Sequence, residues 1–243
     1  MKKNIATGFD GKVALVIGAS RGIGRAVAHQ LALKGAKVMA VARSEGGLTE
    51  LDDAVRAETQ GRNSIAIITA DITAKDTVPL LFANILNRFG HIDILVGCSA
   101  RLGTLGPLGH AEEKDFDRTI ALNLTAYHRL VRYGEPLLRR AAHGRVVFIT
   151  SGVTTSHPAF WGSYTVSKAG LEALGQTWAH ELQKTAITVN LINPGGTRTA
   201  MRAEAFPGED PMTLKTPDTV ATFILPFLHD DNTISGKVID YQP

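Results

Sequence analysis

Tyr164-Thr165-Val166-Ser167-Lys168 sets a phenol and an ammonium four residues apart. On a helix, positions i and i+4 share one face, so both side chains can enter one cleft. A free tyrosine has a pKa of about 10 and is a poor acid or base at neutral pH. An ammonium beside it stabilises the phenolate and lowers that value toward the working range. Tyr-x-x-x-Lys alone is common by chance. Here Ser151 stands thirteen residues upstream, directly after a β-branched run that ends at Thr150. Its hydroxyl is expected at the carboxyl edge of a sheet. The chemistry that suits such a group is the transfer of one proton.

A second constellation lies near the beginning of the sequence. The run Val13–Ile17 leads into Gly18-Ala19-Ser20-Arg21-Gly22-Ile23-Gly24, and an amphipathic stretch follows. Glycines spaced G-x-x-x-G-x-G between a first strand and a helix point to a dinucleotide site. Gly18 allows the tight turn, Gly22 lets the backbone approach a pyrophosphate, and Gly24 lets helix and strand pack closely. The helix N-terminus adds free N–H groups and a positive dipole end. An NAD site places an acid at the end of the second strand to bond the ribose 2′-hydroxyl. That place reads Ala40-Val41-Ala42-Arg43-Ser44, without an acid. Arg43, with Arg21 in the glycine loop, suits a 2′-phosphate, so NADP(H) is expected over NAD(H).

The elements that must position these residues alternate along the whole chain. Strands are expected at Val13–Ile17, Lys37–Ala42, Ile65–Thr69, Asp93–Val96, Gly144–Thr150, Ile187–Ile192 and Lys237–Ile239. Helical spacing fills Gly22–Leu33, Leu48–Thr59, Thr73–Phe89, Glu112–Arg140, Ser163–Lys184 and Pro217–Leu228. This alternation predicts an α/β fold: a doubly wound, seven-stranded parallel sheet of Rossmann type with helices on both faces. Ligands then bind at the carboxyl ends of the strands. Seven strands use up residues 1–243 as a single domain. Residues 198–216 stand apart as an insertion expected to form a lid over the strand ends.

Composition narrows the function classes. With 44% apolar and 20% charged residues over 243 positions, the chain has ordinary globular usage, which excludes a disordered or fibrous protein. Its net charge of +3 comes from scattered basic residues, with no stripe or aromatic-interleaved module for nucleic acid. No run of about 20 apolar residues suggests a membrane span. Met1–Gly8 lacks the apolar segment of a signal peptide, so a cytoplasmic location is expected. The single cysteine, Cys98, allows no intrachain disulfide. Eight histidines without ligand spacing give no reason to expect a metal.

Taken together, the sequence resembles a short-chain dehydrogenase/reductase over essentially its whole length. The resemblance rests on Gly18, Gly22 and Gly24; Asp71; Asn123; Ser151; Tyr164 with Lys168; and Asn193-Pro194-Gly195-Gly196-Thr197-Arg198-Thr199. It implies hydride transfer between a nicotinamide and a carbonyl or alcohol substrate, in a homo-oligomer that is usually a tetramer or dimer. Tyr164 would be the general acid or base, Lys168 would bind the nicotinamide ribose and tune Tyr164, and Ser151 would bond the substrate oxygen. Asn123 would hold a helix kink and a water that relays protons to Lys168. Asp71-Ile72 would sit at the adenine, and Pro194, Gly195, Thr197 and Thr199 would line the cofactor. One segment departs from the family. After the fourth strand the usual pattern is Asn-Asn-Ala-Gly, and this sequence has Gly97-Cys98-Ser99-Ala100. Cys98 and Ser99 are expected to replace some of the lost bonding. Cys98 is expected to be a small buried residue, since no charged neighbour in the local sequence favours a thiolate.

The substrate side is less defined. Phe160 and Trp161 could form an apolar wall or pack elsewhere, and His157 reads as a loop hydrogen-bonder. Arg198, Arg202 and Lys215 could meet a carboxylate or phosphate, or be neutralised by Glu204, Glu209 and Asp210. Two rivals stand beside a reductase of small carbonyl compounds. One is 3-oxoacyl-carrier-protein reduction, with Arg129, Arg132, Arg139 and Arg140 offering a basic surface. The other is an NADP(H)-binding sensor without turnover.

Overall fold

The computed structural model describes residues 8–242; Met1–Thr7, most of the segment read for a signal peptide, lie outside them. Seven parallel strands form one sheet: β1 (Val13–Ile17), β2 (Lys37–Ala42), β3 (Ile65–Thr69), β4 (Ile94–Gly97), β5 (Arg145–Ile149), β6 (Thr188–Asn193) and β7 (Val238–Asp240). Their order across the sheet is β3-β2-β1-β4-β5-β6-β7. Every residue of β1, β4 and β5 is buried, as a parallel sheet covered on both faces demands.

One face carries α1 (Gly22–Leu33), α2 (Gly46–Thr59) and the last helix, Pro217–Leu228, through Val27, Leu31, Leu51, Val55 and Ile224. The other face carries α3 (Thr77–Phe89) and two helices from the middle of the chain. These contribute Phe82, Tyr127, Leu130, Leu171 and Trp178. The chain reverses direction across the sheet between β1 and β4. Both neighbours therefore leave a crevice at their carboxyl ends, which is the ligand position of an open α/β sheet.

Two expected helices are modified, for local reasons. α3 begins at Thr77 rather than Thr73, because Asp71 accepts hydrogen bonds from the Thr73 amide (2.9 Å) and hydroxyl (2.7 Å). That turn competes with helical bonding. The stretch expected as one helix over 112–140 is α4 (Glu113–Ile120), a π turn (Ala121–Thr125) and α5 (Ala126–Leu138). Further on come the short α6 (Val153–Ser156), α7 (Gly162–Glu181), α8 (Ala200–Ala205) and α9 (Pro217–Leu228). Thr216 caps α9 by accepting from the Thr219 amide at 3.2 Å, with Pro217 in its first turn.

The Gly97-Cys98-Ser99-Ala100 departure has a packing cause. A Cβ at Gly97 would lie 2.5 Å from Tyr127 Cε1 and 2.8 Å from Phe148 Cδ1. Tyr127 and Phe148 meet edge to face with centroids 5.0 Å apart. The Tyr127 hydroxyl donates to the Ser99 carbonyl at 2.7 Å. The bonding expected from the Cys98 and Ser99 side chains thus comes from Tyr127 on α5, which needs the space that Gly97 leaves.

Gly97→Ala should lower the free energy of unfolding by about 1–3 kcal/mol through overpacking. Adding Tyr127→Leu should recover part of that loss in a double-mutant cycle followed by denaturant unfolding. Additive losses would show that the two residues do not share this space.

Candidate active site

A cleft of about 1180 Å³ opens along the carboxyl edge of the sheet. One half is lined by Gly18, Ser20, Arg21, Gly22, Ile23 and Gly24, by Arg43 and Ser44 after β2, and by Asp71 and Ile72 after β3. A Cβ on Gly24 would stand 2.2 Å from the Gly18 carbonyl oxygen, so only glycine lets α1 start this close to β1. No side chain caps α1. Its first amides therefore border the cleft beside Gly22, where the nearest atom to an added Cβ is Thr199 Cγ2 at 3.4 Å. An uncapped helix start beside an open floor fits a pyrophosphate. Arg21 and Arg43 are both exposed on the cleft wall. Burial works to raise the Asp71 carboxyl. The Thr73 hydroxyl and amide and the Arg43 guanidinium outweigh it and hold Asp71 below the usual carboxylate range. Arg43 therefore stands at the corner between β2 and β3, and the donor set suits a dinucleotide with an extra phosphate there.

The other half holds Ser151, Tyr164 and Lys168, with Pro194, Gly195, Thr197 and Thr199 opposite. Asn193 shapes that turn by accepting from the Gly195 amide at 3.1 Å and donating to Asp240 at 2.8 Å. Tyr164 and Lys168 project from the first turns of α7, and both are almost fully buried. Lys168 Nζ donates to the Ile149 carbonyl at 2.6 Å and lies 5.7 Å from the centroid of the Tyr164 ring. Burial pushes Lys168 down to about 8, with Cys98 and Glu172 acting the other way. Burial also pushes Tyr164 up to about 12, offset in part by the Ser151 hydroxyl. Burial, and not Lys168, sets the direction of the Tyr164 shift. In the protein alone the ammonium is directed at Ile149, and loss of solvent dominates the phenol. Cys98 is likewise pushed up to about 12 by desolvation, although Lys168, a charged neighbour supplied by the fold, works against the shift. Its thiol is protonated at neutral pH.

Asn123 is the one expected site residue that does not line the cleft. It is fully buried in the π turn. Its Oδ1 accepts from the Arg101 amide at 2.9 Å, and its Nδ2 donates to the Arg101 carbonyl at 2.9 Å and to Ser167 Oγ at 3.0 Å. It thereby ties the loop after β4 to α7 one residue before Lys168. Arg101 in turn binds the α4 residues Asp115 and Thr119.

Several contributors were not legible beforehand. Glu172, one turn beyond Lys168, accepts from Thr150 Oγ1 at 2.6 Å and Thr154 Oγ1 at 2.9 Å. Thr154 Oγ1 also lies 2.9 Å from the Ser151 carbonyl. The turn carrying Ser151 is thus clasped to α7 from both sides. The spacing Lys168–Glu172 was the only available signal. At the mouth, Leu102, Val153 and Tyr164 form a small apolar cluster joined by Leu105, Trp161, Met201 and Ala205. Trp161 lines the cleft, whereas Phe160 is 59% exposed and neither it nor His157 reaches the lining.

The 198–216 segment folds against the mouth through α8, bringing Met201, Arg202, Ala205 and Phe206 to the cleft. Its cations are engaged internally. Arg198 donates to the Pro211 and Leu214 carbonyls, Lys215 to the Gly196 carbonyl, and Arg202 to Glu209. On the helices, Arg129 donates to the Thr73 carbonyl, Arg139 pairs with Glu135, and Arg132 lies over the Tyr133 ring. Among the described residues, no group of three or more His, Cys, Asp or Glu could hold a metal ion, and no helix is long and apolar enough to cross a membrane.

The sequence and the fold have relatives among known proteins. The short chain dehydrogenase family model matches residues 12–210. The oxidoreductase YciK of Escherichia coli K12 is 34% identical over 233 residues, covering 96% of this chain and 92% of that protein. The 3-oxoacyl-[acyl-carrier-protein] reductase FabG of the same organism is 34% identical over 193 residues, covering 79% and 76%. A short chain dehydrogenase from Escherichia coli CFT073, solved in complex with NADPH, superposes with a TM-score of 0.91 at 34% identity, covering 98% of this chain and 99% of that one. The chain belongs to the short-chain dehydrogenase family and is an oxidoreductase with a Rossmann-type parallel sheet.

Glu172→Ala should cost about 1.5–3 kcal/mol of stability, the scale of hydrogen bonds to a charged group. It should also loosen the turn at Ser151. Denaturant unfolding, with hydrogen exchange at the amides of 150–154, measures both. Unchanged protection there would remove the clasp.

Proposed function

We propose that this protein is an NADP(H)-dependent reductase or dehydrogenase acting on the CH–OH group, interconverting a carbonyl compound and its alcohol. The observation that carries the reading is the convergence of Ser151, Tyr164 and Lys168 with the uncapped start of α1 on one cleft. The relative solved with NADPH supports the cofactor assignment.

In this reading Gly18, Ser20, Gly22, Ile23 and Gly24 hold the pyrophosphate, and Arg21, Arg43 and Ser44 hold the 2′-phosphate. Asp71 and Ile72 flank the adenine, and Pro194, Gly195, Thr197 and Thr199 flank the nicotinamide. The cofactor, when bound, supplies the hydride. Tyr164 is protonated at neutral pH and gives its proton to the carbonyl oxygen, which Ser151 orients by a hydrogen bond. As that proton leaves, negative charge develops on the phenol oxygen. The Lys168 ammonium, charged below about 8, stabilises it. Asn123 acts one layer behind, positioning α7 through Ser167. Residues 198–216 serve as a lid within a single domain. We further place the protein in the cytoplasm, in keeping with its lone cysteine, and as a homo-oligomer, in keeping with its family.

The similarity to FabG favours a second reading, reduction of an acyl chain carried on a protein. Such a carrier needs a basic docking face. Of the four candidate arginines, Arg139 has its charge paired with Glu135, while Arg129 donates to the Thr73 carbonyl and Arg132 lies over the Tyr133 ring, both with their charge intact.

Tyr164→Phe should fold and bind NADPH with unchanged affinity while losing at least about a hundredfold in turnover of a carbonyl panel. Retained turnover would overturn the mechanism. Arg43→Ala should weaken NADPH binding by about tenfold or more, the loss of one charge-assisted contact, and leave NADH nearly unaffected. Equal losses for the two cofactors, read by titration calorimetry, would remove the 2′-phosphate assignment.

A further inference from the structure

We infer that this site selects uncharged carbonyl compounds bearing an apolar, preferably planar, group. We further infer that Glu209 enforces the selection by keeping Arg202 from greeting a substrate carboxylate. The inference rests on the reductase reading for its chemistry, and its geometry lies in the wall beside Tyr164 and in the 198–216 segment.

Three observations carry it. First, the wall facing Tyr164 is apolar. Leu102, Val153, Met201 and Ala205 line it, and none carries a charge or a side-chain hydrogen-bonding group. Second, that wall ends in rings. Trp161 lies 6.0 Å from Tyr164 and 5.6 Å from Phe206 between centroids, the latter pair tilted by 36°. Phe206 lines the mouth and remains 38% exposed, with the Arg202 guanidinium over its ring. Third, the cations nearest this wall are already satisfied. Arg202 lines the cleft, yet its Nε and Nη2 each donate to Glu209 at 2.6 Å, a two-pronged pairing. Its guanidinium carbon also lies 3.7 Å from the centroid of the Phe206 ring. Arg198 and Lys215 are held by backbone carbonyls of their own segment and its neighbour.

An oxo acid entering this mouth would have to give up its hydration against apolar walls. Arg202, the cation stacked at this wall, would first have to leave a bidentate carboxylate. A neutral aryl or alkyl ketone faces neither cost and gains the area of Trp161 and Phe206. The pairing therefore acts as a charge filter: the arginine orders the segment through Glu209 and Phe206 while its own charge is cancelled.

The test uses matched probes that differ in charge and little in shape. Binding of 1-naphthamide and 1-naphthoate to the protein with saturating NADP⁺ is measured by calorimetry. Alongside, NADPH-dependent turnover of 4-acetylbenzamide is compared with that of 4-acetylbenzoate. The expected result is tighter binding of the naphthamide by about tenfold or more, the scale of one charge-assisted contact, and the same direction in kcat/KM for the acetylbenzamide. Glu209→Gln should shrink both ratios by about tenfold as Arg202 becomes available. Trp161→Ala should weaken the amide without changing NADP⁺ affinity. Arg202→Gln, which removes the cation itself, should keep the preference for the neutral probe, even where Glu209→Gln disorders the segment. Naphthoate binding as well as or better than the amide overturns the inference, and so does failure of both to bind. Ratios unmoved in Glu209→Gln remove Glu209 from it. Amide binding without turnover of any carbonyl would uphold the apolar site and defeat the reductase reading instead.

Discussion

An ammonium kept out of water at the carboxyl edge of a parallel sheet is the constraint around which this molecule is arranged. Lys168 is 2% exposed, and its nearest partner is the Ile149 carbonyl. Removing a charge from water is costly unless geometry repays it, and the depressed proton affinity of Lys168 expresses what remains unpaid. The supporting structure is therefore dense. β5 ends where its last carbonyl meets Nζ. Glu172 fixes the next residue, Thr150, from α7. Asn123 fixes the residue before Lys168 from the π turn. Two large apolar cores on either side of the sheet supply the stability that lets such a site persist.

The cleft is graded along its length. Exposed arginines stand at the nucleotide end, protonatable groups with shifted affinities stand in the middle, and a ring-lined apolar wall stands at the mouth. Each zone uses charge differently. Arg21 and Arg43 face solvent, where an anion can reach them. Lys168 is buried, where its charge can act on a neighbouring phenol. Arg202 is cancelled by Glu209, where a free charge would compete with apolar contact. A mostly apolar pocket with a few placed polar groups is the usual form of a small-molecule site.

The π turn and the Gly97 segment belong to the same design. Asn123 sits where helical bonding slips by one residue, and its side-chain amide binds Arg101 and Ser167 across two elements. Gly97 leaves room for Tyr127, whose hydroxyl bonds the Ser99 carbonyl in the same loop. Both devices brace the chain just after β4, at the point where strand order reverses and the ligand must lie.

Much of this was legible in the sequence. The β-branched runs and helical spacing located β1, α1, β2, β3 and α9 to the residue, because the side of each element turned toward the core admits mainly apolar side chains at the period of that element. Gly18 to Gly24 and Tyr164 to Lys168 were legible because their chemistry depends on spacing within one element. What tertiary structure alone decided were relations between elements distant in sequence. Tyr127 filling the space at Gly97, Glu172 clasping Thr150, and Lys168 lying near Cys98 all join residues at least 20 positions apart. The direction of the Tyr164 shift was also beyond the sequence, since it depends on how much water the fold removes from the phenol. The pairing of Arg202 with Glu209 could be suspected from local charge. That it closes beside an aromatic mouth was set only by where α8 comes to rest against Trp161.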